Sequence, residues 1–215
     1  TKAMKDYHWG LEEETGEVVT VKKVQSPFEN SDSDENNLVE FSNNKIFFYS
    51  GVSRQKILRL NKAIVNMNNN LLNRATTYDM DINASPIKLH INSYGGSVFA
   101  GLSAVDYILK SKVPVHTVID GCAASAATLM SVVATKRYMH KNACMLVHQL
   151  SGIMWGKFQE MKDDMLNSEM LMKKIKNIYK EHTKIPQDKL DQILKHDIWW
   201  DADQCLEYGL VDEVI

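Results

Sequence analysis

Cysteine is scarce in this chain, with 3 among 215 residues. Cys122, Cys144 and Cys205 lie far apart and form no CxxC unit, which argues against a disulfide framework and suits a reducing compartment. A surplus of one charge is also missing. Lysine and arginine number 25 against 27 aspartates and glutamates, a formal net charge of -2. Nucleic-acid binding calls for a concentrated basic surface, and the densest basic cluster, Lys173-Lys174-Ile175-Lys176, reads better as the wet side of an amphipathic helix. No apolar run reaches the roughly 18 residues of a membrane span. The opening Thr1-Lys2-Ala3-Met4-Lys5 leads into polar sequence rather than a signal-peptide core, so no membrane partner is expected. The expected location is the cytoplasm, that of a host if the source is viral, or an organelle matrix if a targeting segment has been removed. Metal chemistry lacks support too: His140 with His148, and His182 with His196, have no close ligand partners of a zinc signature.

What is present is a hydrophobic fraction of 44%, enough for a sizeable core in one domain. Residues 1–40 differ from the rest. They carry Glu12-Glu13-Glu14 and the tract Asn30 to Asn37, and a short strand at Val18–Val21 is their only ordered candidate. A mobile N-terminal arm is expected there, or one that lines a pore or contacts a neighbouring subunit, with the folded domain spanning 41–215.

From Ile46 onward the pattern alternates between strands and helices. Ile46-Phe47-Phe48-Tyr49 predicts a strand, and Ser53 caps a helix whose apolar Ile57, Leu60 and Ile64 recur at helical spacing. That helix is expected to fray over Asn66–Asn70, with a loop from Asn73 to Ser85. Ile87–Ile91 predicts a second strand, the turn Asn92–Ser97 follows, and Leu102, Val105, Ile108 and Leu109 mark a second helix. Val113–Ile119 reads as a buried strand, Gly121–Ala134 as a helix of small residues, and Met145–Val147 as a strand end. This alternation predicts a layered α/β fold. A single long helix is expected over Phe158–Tyr179.

Ser125 lies in Gly121-Cys122-Ala123-Ala124-Ser125-Ala126-Ala127, past a strand and at a helix start, where small neighbours let backbone and substrate approach. The same serine suits tight helix packing. His148 follows Met145-Leu146-Val147 at a strand end, a rigid yet accessible position for a general base. Gly95-Gly96 can aim a backbone N–H into a pocket or simply form a tight turn; with no Gly-Lys-Ser/Thr behind it, it is not a phosphate loop. A carboxylate must hold the imidazole tautomer, and many are available. Asp197 is attractive because Ile198, Trp199 and Trp200 would shield it.

Together these segments resemble the ClpP family, the proteolytic subunits of Clp proteases. Ile91-Asn92-Ser93-Tyr94-Gly95-Gly96-Ser97-Val98 is similar to the family's glycine turn, with Tyr94 where proline is common. Gly121–Ser125 resembles its nucleophile motif, Val147-His148-Gln149 its histidine motif, and Asp197 through Asp212 the segment that holds the triad aspartate. The resemblance runs from about Lys45 to Ile215.

It implies a crotonase-like α/β fold of repeated ββα units with a projecting handle, a strand and long helix at about residues 152–180. It implies serine endopeptidase activity of the S14 type, with Ser125 as nucleophile, His148 as general base, Asp197 orienting His148, and the backbone N–H groups of Gly96 and Ala126 as oxyanion hole. No cofactor or metal is implied for this chain; ATP would be used by a partner AAA+ unfoldase that feeds unfolded polypeptides into a chamber. That chamber would be one heptameric ring or two stacked as a tetradecamer. Leu150 stands where proline is usual and His196 where arginine is, which predicts a weaker or pH-sensitive ring stack. Lys88, His90 and Lys110 replace aromatic residues that receive the ATPase, which predicts altered docking. A phage head-maturation type protease would use the same triad, and a catalytically silent ring subunit would keep the same fold.

Overall fold

In a computed structural model, residues 39–215 are described; the expected arm and its strand at Val18–Val21 lie outside them. A hairpin of β1 (Val39–Ser42) and β2 (Lys45–Phe48) opens the sheet, antiparallel with Val39 opposite Phe48. Alternating burial makes β2 one-sided, with Ile46 and Phe48 facing the core.

Helix α1 (Arg54–Tyr78) starts where Ser53 Oγ accepts the Lys56 N–H. It runs through the expected fray and the first six residues of the expected loop. Asparagine is a poor helix former because its side chain competes for the backbone, but Asn68 turns its amide outward. Its Oδ1 accepts from the N–H groups of Lys112 and Val113, both at 3.0 Å, and so caps a loop across the molecule. The helix ends at Asp79 in a left-handed conformation, and a short 3-10 turn, Ile82–Ala84, lies in the stretch that remains before Pro86.

Next come β3 (Ile87–Ser93), α2 (Val98–Lys110), β4 (Val115–Ala124), α3 (Ala126–Val132), β5 (Lys136–Met139) and β6 (Cys144–Leu146). β2, β3, β4 and β5 are parallel neighbours. β4 runs past the expected boundary at Ile119, and this extension builds the site. Gly121, at φ 92°, makes a kink rather than a helix start. Upstream of it β4 pairs with β5, and downstream it pairs with β6, with Ala124 opposite Leu146. Helix α3 therefore begins only after Ser125, and all seven of its residues are buried.

Helix α4 (Phe158–His182) matches the expected long helix, but the handle strand implied before it is absent: residues 147–157 carry no regular structure. A strand needs a paired edge, and none reaches this segment within one chain. α5 (Gln187–Ile193), β7 (Trp199–Trp200), α6 (Ala202–Glu207) and β8 (Glu213–Val214) complete the chain. β7 pairs antiparallel with β6, and β8 adds to the outer edge of β5. The core lies where α1, α2 and α3 cover one sheet face, around Ile57, Leu60, Leu89, Ile91, Ile119 and Met130.

Candidate active site

Strand register sets the three candidate residues on neighbouring strands. Ala124 pairs with Leu146, and the Ser125 N–H continues that ladder by donating to the Leu146 carbonyl at 2.9 Å. Ser125 and His148 thus leave the C-terminal ends of adjacent parallel strands. On the other side of β6, Leu146 faces Trp199 in an antiparallel pair, so two residues further out His148 faces Asp197. Their side chains meet: His148 Nδ1 and Asp197 Oδ1 form a short hydrogen bond.

Ser125 sits at φ 55° and ψ -125°. A residue with a side chain holds such a conformation only when its surroundings impose it, at a cost of about 1–3 kcal/mol. One constraint is the ladder bond to Leu146. Another is the Ser125 carbonyl, which accepts from the Thr128 N–H at 2.9 Å and from the Thr128 hydroxyl at 2.6 Å. A third is Gly95, packed so tightly that a Cβ there would lie 2.7 Å from Ser125 Cβ.

Gly95 and Gly96 form the facing wall. Gly95 donates to Ser93 Oγ at 3.2 Å and its carbonyl accepts the Val52 N–H at 2.8 Å. Gly96 bridges to Val52, whose carbonyl would stand 2.4 Å from an added Cβ. Only glycine allows the turn to press against both Val52 and the Ser125 segment. Ala126 N lies on the Gly95 side, 3.2 Å from the Cβ position that glycine leaves empty.

Burial lowers the His148 imidazole below its ordinary value, and the Asp197 carboxylate opposes that shift without cancelling it. The neutral ring is favoured, with the Nδ1 proton directed at Asp197. Asp197 itself corrects the sequence reading, since its side chain is 77% exposed. The tryptophans that would shield it pack elsewhere: Trp199 meets Tyr94 edge-on at 6.3 Å, and Trp200 leans on Tyr208 at 4.8 Å.

Sequence reasoning missed Thr128 and the buried Tyr179 of α4, whose hydroxyls lie 2.5 Å apart. A threonine three residues after the candidate nucleophile was a visible hint; the tyrosine, 51 residues further on, had none. Among the described residues no cluster of side chains is arranged to hold a metal, and no helix is long and apolar enough to cross a membrane.

The glycine turn, the strained serine and the buried histidine fall within residues 42–215, which match the Clp protease family model. The chain belongs to the Clp protease family. It is 34% identical over 173 residues to the ATP-dependent Clp protease proteolytic subunit of Streptococcus mutans, covering 78% of this chain and 88% of that protein. The corresponding subunit of Lactococcus lactis subsp. lactis is 31% identical, with 78% and 86% covered. Among solved structures, a ClpP1 variant from Listeria monocytogenes superposes with a TM-score of 0.66 at 23% identity, over 78% of this chain and 88% of that one. The fold is thus the mixed α/β, crotonase-like architecture of that family. Serine-protease chemistry is the general activity that family membership supports.

Proposed function

We propose that this chain is a Clp-type proteolytic subunit that cleaves unfolded polypeptides as a serine endopeptidase, with Ser125 as nucleophile, His148 as general base and Asp197 orienting the histidine. The observation that carries the reading is the strained Ser125 turn one strand from a buried His148 whose Nδ1 is bound by Asp197. A neutral imidazole with its Nδ1 proton on Asp197 presents Nε2 as acceptor for the serine proton. Ser125 Oγ attacks the peptide carbonyl as His148 takes its proton, and the resulting oxyanion is met by the N–H groups of Gly96 and Ala126. His148 then protonates the leaving amine, the acyl-enzyme forms, and water attacks it with His148 again as base.

Assembly into heptameric rings, one or two, belongs to the same reading. Support comes from exposed apolar side chains on the segment leading into α4 and on α4 itself: Trp155 is 85% exposed, Phe158 69% and Leu166 63%. Such a surface on a loop and long helix is suited to another copy. An AAA+ unfoldase using ATP would supply unfolded substrate. Its docking face differs in this chain, because Lys88 and His90 stand on the sheet face away from α1–α3 and Lys110 is exposed at the end of α2. His90 is already paired with Asp120 at 2.8 Å, and Asp120 also accepts from the Tyr49 hydroxyl at 2.6 Å. That network takes an incoming apolar anchor less readily than aromatic rings would.

The test is hydrolysis of a short fluorogenic peptide by the purified chain. Turnover that Ser125→Ala abolishes supports the reading, and equal turnover by that variant rejects it.

A further inference from the structure

The Ser125 carbonyl is held more elaborately than a helix start requires. A threonine hydroxyl turned back onto a carbonyl three residues earlier is common in helices and would mean little alone. Here the hydroxyl has a second partner, because the Tyr179 phenol reaches from α4 to within 2.5 Å of Thr128 Oγ1. The direction of the bonds follows from proton counting. Thr128 has one hydroxyl proton, and the Ser125 carbonyl only accepts, so Thr128 donates to the carbonyl and Tyr179 donates to Thr128. Thr128 is 0% exposed and Tyr179 1%, so no water competes. Burial pushes the phenol far above its ordinary value, which keeps it a neutral donor at any working pH. In such surroundings each hydrogen bond polarises the next.

The carbonyl matters because of what shares its plane. A peptide group is flat, so the Ser125 C=O and the Ala126 N–H are opposite ends of one rigid unit. Holding the oxygen against Thr128 fixes the direction of the N–H at the other end. Ala126 N lies beside Gly95, 3.2 Å from the position a Cβ there would take.

We propose that Tyr179 is a positioning residue for the reaction: through Thr128 it holds the Ser125–Ala126 peptide plane so that the Ala126 N–H meets the oxyanion of the transition state. This rests on Ser125 being the nucleophile. Tyr179 touches no substrate, and its effect falls on transition-state stabilisation rather than substrate binding.

The experiment compares the unaltered chain with Tyr179→Phe, Thr128→Val, Thr128→Ser, the double variant Tyr179→Phe/Thr128→Val, and Ser125→Ala. Readouts are kcat and KM on a fluorogenic peptide, affinity for a peptide boronate that forms a tetrahedral adduct, and melting temperature. Losing a direct oxyanion donor costs roughly 10²–10³-fold in kcat, so a misaimed one is expected to cost about tenfold in Tyr179→Phe. KM should stay within about twofold and boronate affinity should fall with kcat. Thr128→Ser should recover most of what Thr128→Val loses. The double variant removes both hydroxyls, leaves no orphaned phenol and should regain stability, while kcat stays low. Wild-type kcat and boronate affinity in Tyr179→Phe would overturn the proposal. So would a kcat deficit that disappears in the double variant together with the stability loss, since that marks packing alone. Undiminished turnover in Ser125→Ala would instead bring down the active-site reading beneath it.

Discussion

His148 and Asp197 are bound to each other across opposite environments: the histidine side chain is 5% exposed and the aspartate 77%. Most of the desolvation falls on the base, so its proton affinity is set mainly by burial and only secondarily by its partner. The acid limb of kcat/KM is therefore expected below the ordinary histidine value of 6.5. Asp197→Asn removes a contribution that raises the imidazole, and the limb should move lower still. Its kcat should fall by less than the roughly 10⁴-fold loss known where the orienting carboxylate is buried, because water can partly replace an exposed one. The same burial acts on stability. The unfolded chain binds the His148 proton more readily, so this contribution is present above about pH 6.5 and is lost as pH falls below it. A pH–rate series on both proteins checks this, and an acid limb displaced upward in Asp197→Asn would contradict it.

A methyl group at Gly95 would lie 2.6 Å from the Ala124 carbonyl oxygen, at a φ of +93°. Neither the backbone nor the neighbouring strand end can yield easily. Gly95→Ala is expected to destabilise the fold by about 2–4 kcal/mol through overpacking and backbone strain, and to lower catalysis beyond that loss by displacing Ser125. Chemical denaturation and kinetics at a temperature where the variant is folded separate the two effects. Wild-type stability would mean the turn relaxes.

Arg137 ties β5 to the C-terminal segment and to the end of α4. Its guanidinium donates to Asp212 at 2.5 and 3.0 Å, to the Gly209 carbonyl at 2.8 Å and to the His182 carbonyl at the end of α4. Burial pushes the Asp212 carboxyl up, but Arg137 outweighs it and holds it below its usual range. This contribution is present above the ordinary carboxylate value of 3.8 and is lost as pH falls further. Arg137→Met should cost about 2 kcal/mol at neutral pH, from charge-assisted bonds lost at one end of α4 and β5. The difference from the unaltered chain should shrink toward pH 3, measured by denaturation across pH.

Which parts of this were legible beforehand follows from the range of each interaction. Strand and helix alternation and the long α4 are marked by local periodicity, and they appeared as expected. The extension of α1 through Asn68 was hidden because its stabilising bonds come from Lys112 and Val113, more than forty positions away. The boundary of β4 was misplaced because Gly121 reads as a helix start until its pairing with β6 is known. Shielding of Asp197 failed for the same kind of reason: Trp199 and Trp200 are adjacent in sequence, but strand pairing turns one toward Tyr94 and the other toward Tyr208.

Trp155 and Leu166 expose apolar surface on the segment leading into α4 and on α4 itself. If another copy covers them, Trp155→Glu together with Leu166→Glu should lower the assembly mass by at least half while leaving the far-ultraviolet spectrum of the subunit unchanged. Sedimentation velocity checks this, and an unaltered mass would place the contact elsewhere.

Ser125 is proposed as the activated nucleophile. The most direct test of that role is labelling with a fluorophosphonate followed by peptide mapping. A single adduct on Ser125 is expected, formed faster as pH rises through the His148 transition and absent from Ser125→Ala. A folded, assembled protein that takes no label, or one labelled at another serine, would contradict it.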